Sequence, residues 1–118
     1  MSTKTPECYT TDPQARCLRI EVSPGHAILL PLDQFAFAEF TNEEKEQLLH
    51  LSFASHEIMI RGRELQRIEN ALHKLELSFL MALPKKYHLL IADNLPKIRE
   101  IIVTENKPAD LQSQAALN

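Results

Sequence analysis

Glycine, cysteine and long apolar runs are what this chain has least of. Only two glycines, Gly25 and Gly62, occur in 118 residues. Backbone can therefore approach a phosphate closely at few places, and the sequence has no GxGxxG, Walker loop, GxSxG or HExxH. The two cysteines, Cys8 and Cys17, form neither a CxxC nor a Cys/His spacing suited to zinc, and read as reduced thiols of a cytoplasmic protein. A disulfide between them would staple only the N-terminal stretch. No apolar run approaches the roughly 20 residues that span a bilayer, and the polar start MSTKTPECYTTDPQARC lacks the roughly 7 to 15 residue apolar segment of a secretory signal. The expectation is an intracellular chain without a membrane role. Positive charge is also in deficit: 13 basic against 16 acidic residues give −3 and a pI near 5.9. No global field draws such a chain to nucleic acid or anionic lipid.

What is present suits one ordinary domain, with 44% hydrophobic and 25% charged residues. Residues 1–16 and 106–118 are poor in large apolar side chains and read as flexible tails around a single domain over 17–105. CLRIEV alternates with Leu18, Ile20 and Val22 on one face. The Pro-Gly pair of SPGH then turns the chain into AILLPL, a hairpin signal. DQFAFAEF alternates again, which sets Phe35 and Phe37 on one side and Ala36 and Ala38 on the other. QLLHLSFA and HEIMI follow as strands, with Leu49, Leu51 and Phe53, then Ile58 and Ile60, at a period of two.

The pattern changes at Gly62. Leu65, Ile68, Leu72, Leu75 and Phe79 fall on one stripe of an amphipathic helix, with Glu64, Arg67, Asn70 and Lys74 opposite. LELSFLMAL also alternates, but the reading carries the helix on toward Pro84. PKKYHLLIAD opens with proline as a short second helix. KIREIIVTE closes the domain as a strand, with Ile101 and Val103 on one side and Ile98, Glu100 and Ile102 on the other. The predicted class is α+β: an antiparallel sheet of about five strands, one main amphipathic helix, a short second helix and a final strand.

Three functional classes follow from these residues. The first is a non-catalytic interaction module that binds itself, as a homodimer, or another protein. Its surface would be the stripe Leu65, Ile68, Leu72, Leu75 and Phe79, or an uncovered edge strand such as KIREIIVTE. Charge favours association too: residues 17–60 hold two basic and seven acidic residues, net −5, whereas 61–99 hold eight basic and four acidic, net +4. Such asymmetry steers docking, within a screening length of about 8 to 10 Å. The second class is an anion or nucleic-acid binder at the strand-to-helix junction, where Arg61, Gly62, Arg63 and Arg67 surround a helix N-terminus. The composition argues against nucleic acid, and Gly62 is read as supplying the turn's conformation. The third is a metal- or proton-handling enzyme built on His50, His56 and Glu57. None of the five histidines forms a metal signature, so no metal or cofactor is expected. Ser55 beside His56 is discounted as a catalytic pair, because strand neighbours point to opposite faces.

Overall fold

The period-two segments become strands, and there are more of them than the sequence suggested. The computed structural model describes residues 7–88 and 94–106. In chain order the elements are β1 (Tyr9–Thr11), β2 (Cys17–Ser23), β3 (His26–Pro31), β4 (Phe35–Asn42), β5 (Gln47–Phe53), β6 (His56–Arg63), α1 (Gln66–His73), β7 (Leu77–Met81) and β8 (Lys97–Glu105). The strands form two four-stranded sheets, ordered β1-β7-β2-β3 and β4-β5-β6-β8. Strands hold 56% of the described residues and helices about 15%. The α+β expectation is therefore corrected to a mostly-β fold. The single five-stranded sheet is corrected to two sheets, and β1 arises within the stretch read as the N-terminal tail.

All strand pairs are antiparallel except β2 with β7, which run parallel. A parallel pair needs a long crossover, and here the crossover contains β3, the β4-β5-β6 meander and α1. The chain leaves the first sheet, builds most of the second, and returns to insert β7 between β1 and β2. It then crosses again to add β8 beside β6. One apolar cluster joins everything: Leu18 and Ile20 of β2, Leu49 and Leu51 of β5, Ile58 and Ile60 of β6, and Leu77 and Leu80 of β7 are all fully buried. Burial of each such side chain contributes about 1.5–3 kcal/mol, which is why the inward faces fix the register.

Helix α1 ends at His73 rather than continuing toward Pro84. Its end is a Schellman motif: Glu76 N–H donates to Ala71 O and Leu75 N–H to Leu72 O, both at 2.8 Å. Leu75 takes the left-handed conformation, φ 56°, that glycine usually supplies there. With leucine in that place, the sequence carries no visible stop. Residues 77–81 then form a central strand, and two fully buried leucines outweigh the helical spacing. At the predicted second helix the described residues form only a 3-10 turn over Lys85–Tyr87. Residues 89–93 of that prediction lie outside the described residues.

Of the four register shifts, one lies at Val22 beside the β2–β3 turn and three overturn the simple alternation. In the β4–β5 pair, Phe35 faces Phe53 and Phe37 faces Ser52, so Ala36 is the extra residue. Phe35 and Ala38 pack on the core while Phe37 turns outward, 53% exposed. In β7, Thr11 faces Leu77 and Thr10 faces Phe79, which makes Ser78 the extra residue and turns both Leu77 and Leu80 inward. In β8, Gly62 faces Ile98 and Arg61 faces Glu100, so Arg99 is extra. Ile98 thus shares the core face with Ile101 and Val103 rather than with Ile102. A bulge changes which face each later residue takes.

Gly25, at φ 82°, makes the β2–β3 turn as expected. Gly62 has a different task from the one read in the sequence, since the positive φ at the strand-to-helix junction belongs to Glu64. Gly62 is a buried strand residue on which the bulged start of β8 rests, and a Cβ there would lie 1.9 Å from Lys97 O. The obstacle is backbone and cannot swing aside. Gly62→Ala is therefore expected to destabilise the fold by about 1–3 kcal/mol or more, as overpacking does. Thermal unfolding followed by circular dichroism checks this, with an expected fall of several degrees per kcal/mol.

Candidate functional site

Because β5 turns Leu49, Leu51 and Phe53 inward, it turns Leu48, His50 and Ser52 to the outer face of the second sheet; β6 likewise presents Glu57, Met59 and Arg61 there. The register aligns two rows across the four strands. Phe37, Ser52, Glu57 and Thr104 make one, and Glu39, His50, Met59 and Ile102 the other. This face carries the polar cluster of the molecule.

Glu57 is its hub. One carboxylate oxygen accepts from His50 Nε2 at 2.7 Å, and the other accepts from Ser52 Oγ at 3.0 Å and Asn106 Nδ2 at 3.2 Å. Phe37 closes one side, its ring edge-on to His50 with centroids 5.9 Å apart. Partial burial raises the carboxyl pKa, but the bonds from Asn106, His50 and Ser52 together hold it below the usual value of 4.5. Asn106 ties β8 to the β5–β6 turn as well: its backbone N–H donates to Ser55 O at 2.8 Å, and its side chain reaches Phe53 O and Ala54 O.

The connectivity is structural rather than nucleophilic. A serine is activated when imidazole stands between hydroxyl and carboxylate. Here Ser52 and His50 both donate to Glu57, so the carboxylate stands between them. Ser55 Oγ and His56 Nδ1 are hydrogen-bonded at 2.7 Å, contrary to the expectation that adjacency would keep them apart. Ser55 lies in the turn between β5 and β6, where strand alternation does not hold. Among the described residues no carboxylate is bonded to His56, and no group of three or more His, Cys, Asp or Glu side chains could hold a metal ion. His50 and Glu57 meet; His56 does not join them.

The other predicted residues disperse. Leu65, Ile68 and Leu72 are buried in the core, Leu75 is 48% exposed beyond the helix, and Phe79 is half-buried on β7. They do not share an interaction surface. Arg61 pairs with Glu100 at 3.5 Å, Arg63 donates to Lys45 O at 3.0 Å, and Arg67 is exposed on α1. Leu65 N–H, at the start of the helix, is already bonded to Gln47 Oε1 at 2.8 Å. The adjoining depression of about 100 Å3 is lined by Asn42–Gln47, Arg63 and Glu64. Four carboxylates, Glu43, Glu44, Glu46 and Glu64, border it and oppose an anion. The opposite charges of the two halves meet within the chain: Arg99 of β8 holds Glu46 bidentately, with Nη2–Oε1 at 2.9 Å, and keeps that carboxyl pKa below its ordinary range.

Both thiols are free. Cys8 is buried, donates to Pro96 O at 3.4 Å and has its pKa pushed up to about 11 by burial; Cys17 is exposed. Among the described residues no helix is long and apolar enough to cross a membrane. Sequence reasoning missed Asn106, placed in the C-terminal tail, and the outward turn of Phe37 and Ile102. Only the bulges reveal that turn, and none of the extra residues Ala36, Ser78 and Arg99 is a glycine.

The Glu57 cluster generates a pH dependence whose sign is fixed. A carboxyl group with a depressed pKa in the folded state contributes stability above its ordinary value of 4.5 and loses it as pH falls through the folded value. Glu57→Gln should lower stability at pH 7 by about 1–2 kcal/mol, the scale of charge-assisted bonds. The variant and the parent should converge as pH falls through the depressed folded value, since protonation removes the same charge. Unfolding midpoints measured between pH 3 and 7 check this; parallel curves would contradict it. Comparison of the chain with protein-family models, with curated proteins and with solved structures finds no match in any of the three.

Proposed function

We propose that this protein is a non-catalytic cytoplasmic interaction module that binds protein by accepting a strand along the free edge of β8. The observation that carries the reading is β8 itself: nine residues long and, among the described residues, paired with β6 alone. Its first residues are occupied, since Leu83 N–H donates to Ile98 O at 2.8 Å and the bulge at Arg99 distorts the edge. Residues 101–104, Ile-Ile-Val-Thr, have no charge, proline or glycine of the kind that protects natural edges. Ile102 is 45% exposed beside Met59 on the outer face.

An extended segment laid along this edge gains backbone hydrogen bonds, and alternate side chains meet Ile102 on one face and Ile101 and Val103 on the other. The free thiols Cys8 and Cys17 suit a reducing compartment. The Ser52–Glu57–His50 connectivity supports a non-catalytic role, because no imidazole stands between the hydroxyl and the carboxylate.

Ile102→Lys tests the reading, because its side chain lies on an exposed face where lysine leaves the core intact. Partners captured by the parent protein from native extract are expected to be lost with the variant at unchanged circular dichroism and melting temperature. Retention of the same partners would show that binding lies elsewhere.

A further inference from the structure

We infer that the strand accepted by β8 is β8 of a second copy of this chain, running antiparallel with Ile102 on the two-fold axis. This rests on the reading of β8 as a binding edge and adds to it the partner and the register.

Direction of the free groups comes first. In an antiparallel ladder the N–H and C=O of one residue point to the same side, and the side alternates along the strand. Asn106 N–H points to Ser55 O in the β5–β6 turn. By alternation Glu100, Ile102 and Thr104 direct their groups to β6, and Ile101, Val103 and Glu105 direct theirs to the open edge. Those three residues form the new ladder, and Ile102 falls at a position that makes no bonds across it, where facing side chains come closest.

The sequence of the strand then selects the register. With Ile102 opposite Ile102, Ile101 faces Val103 and Glu100 faces Thr104, while Arg99 stands outside the ladder with its guanidinium on Glu46. Apolar residues face apolar ones, and a carboxylate faces a hydroxyl. Moving the axis to Val103 sets Ile101 against Glu105, and moving it to Ile101 sets Ile102 against Glu100. Parallel in-register pairing would place Glu100 beside Glu100 and Glu105 beside Glu105, which repel. Of these registers the axis at Ile102 alone keeps Ile101, Ile102 and Val103 opposite apolar residues, and such two-fold pairing of one surface with itself is the commonest homodimer symmetry.

The β4-β5-β6-β8 sheets of the two copies would join into one continuous sheet. The outer row His50–Met59–Ile102 would run on into Ile102 and Met59 of the second copy, covering the isoleucine that the monomer leaves exposed.

The test uses the full chain carrying Cys17→Ser, with light scattering across concentration and with single cysteines introduced on β8. The expected particle has twice the monomer mass of 13.5 kDa, and Ile102→Lys, which changes two positions per dimer, weakens it about a hundredfold. Ile102→Cys should form an intermolecular disulfide on mild oxidation, since facing residues of this class lie about 4.5 Å apart between Cα atoms, within disulfide range. Glu100→Cys should not, because its two copies would stand about 13 Å apart along the strands. A dimer that survives Ile102→Lys, or that cross-links through Glu100→Cys in preference to Ile102→Cys, overturns the proposal. A monomer at all concentrations that still captures partners through Ile102 overturns self-pairing and leaves the module reading standing. A monomer whose captured partners ignore Ile102→Lys overturns both.

Discussion

The carbonyl of Lys97 lies against Gly62, close enough that a Cβ on Gly62 would stand 1.9 Å from it, and the second sheet depends on that approach. It lets β8 start beside β6 with Arg99 bulged out, which turns the fully buried Ile98 into the core and then Ile101 and Val103 after it. The same bulge sends Ile102 to the opposite, outer face. Arg99, freed from the ladder, closes on Glu46 in the β4–β5 connection. One missing side chain thus fixes the entry of β8, the composition of its inner face and the residue left exposed on its outer one.

At the far end of β8 a polar device does the complementary task. Asn106 binds the β5–β6 turn through its backbone and Glu57 through its side chain, while His50 and Ser52 occupy the rest of that carboxylate. Three donors on one partly buried carboxylate satisfy it, and the strand is pinned at both ends. Its middle stays regular along the open edge. Rigid presentation of an extended edge reduces the ordering cost of adding another strand.

Much of the fold was legible in the sequence. CLRIEV, DQFAFAEF, QLLHLSFA, HEIMI and KIREIIVTE showed their strand character through alternation, and AILLPL through the Pro-Gly turn before it. The errors of alternation share a cause. A bulge places two inward residues three apart, as in Leu77 and Leu80, Phe35 and Ala38, or Ile98 and Ile101. That spacing imitates a helix or scrambles alternation. The helix was extended across a central strand by the spacing of Leu72, Leu75 and Phe79, with Leu75 in a place where glycine would have signalled the stop. The sheet-crossing return of β7 depends on contacts across the whole chain and leaves no local mark. Among site residues, His50 and Glu57 could be singled out by type, yet their contact follows from the β5–β6 register. The helix stripe was legible as apolar, but its burial depends on a second sheet that the pattern did not show.

Amide hydrogen exchange along β8 at low and high protein concentration tests the central claim, that this strand is a regular open edge that pairs with its own copy. At low concentration the amides of Ile102 and Thr104, bonded to β6, should exchange slowly and those of Ile101, Val103 and Glu105 quickly. Raising the concentration should protect the latter three. Exchange at Ile101, Val103 and Glu105 that does not change with concentration would contradict the account.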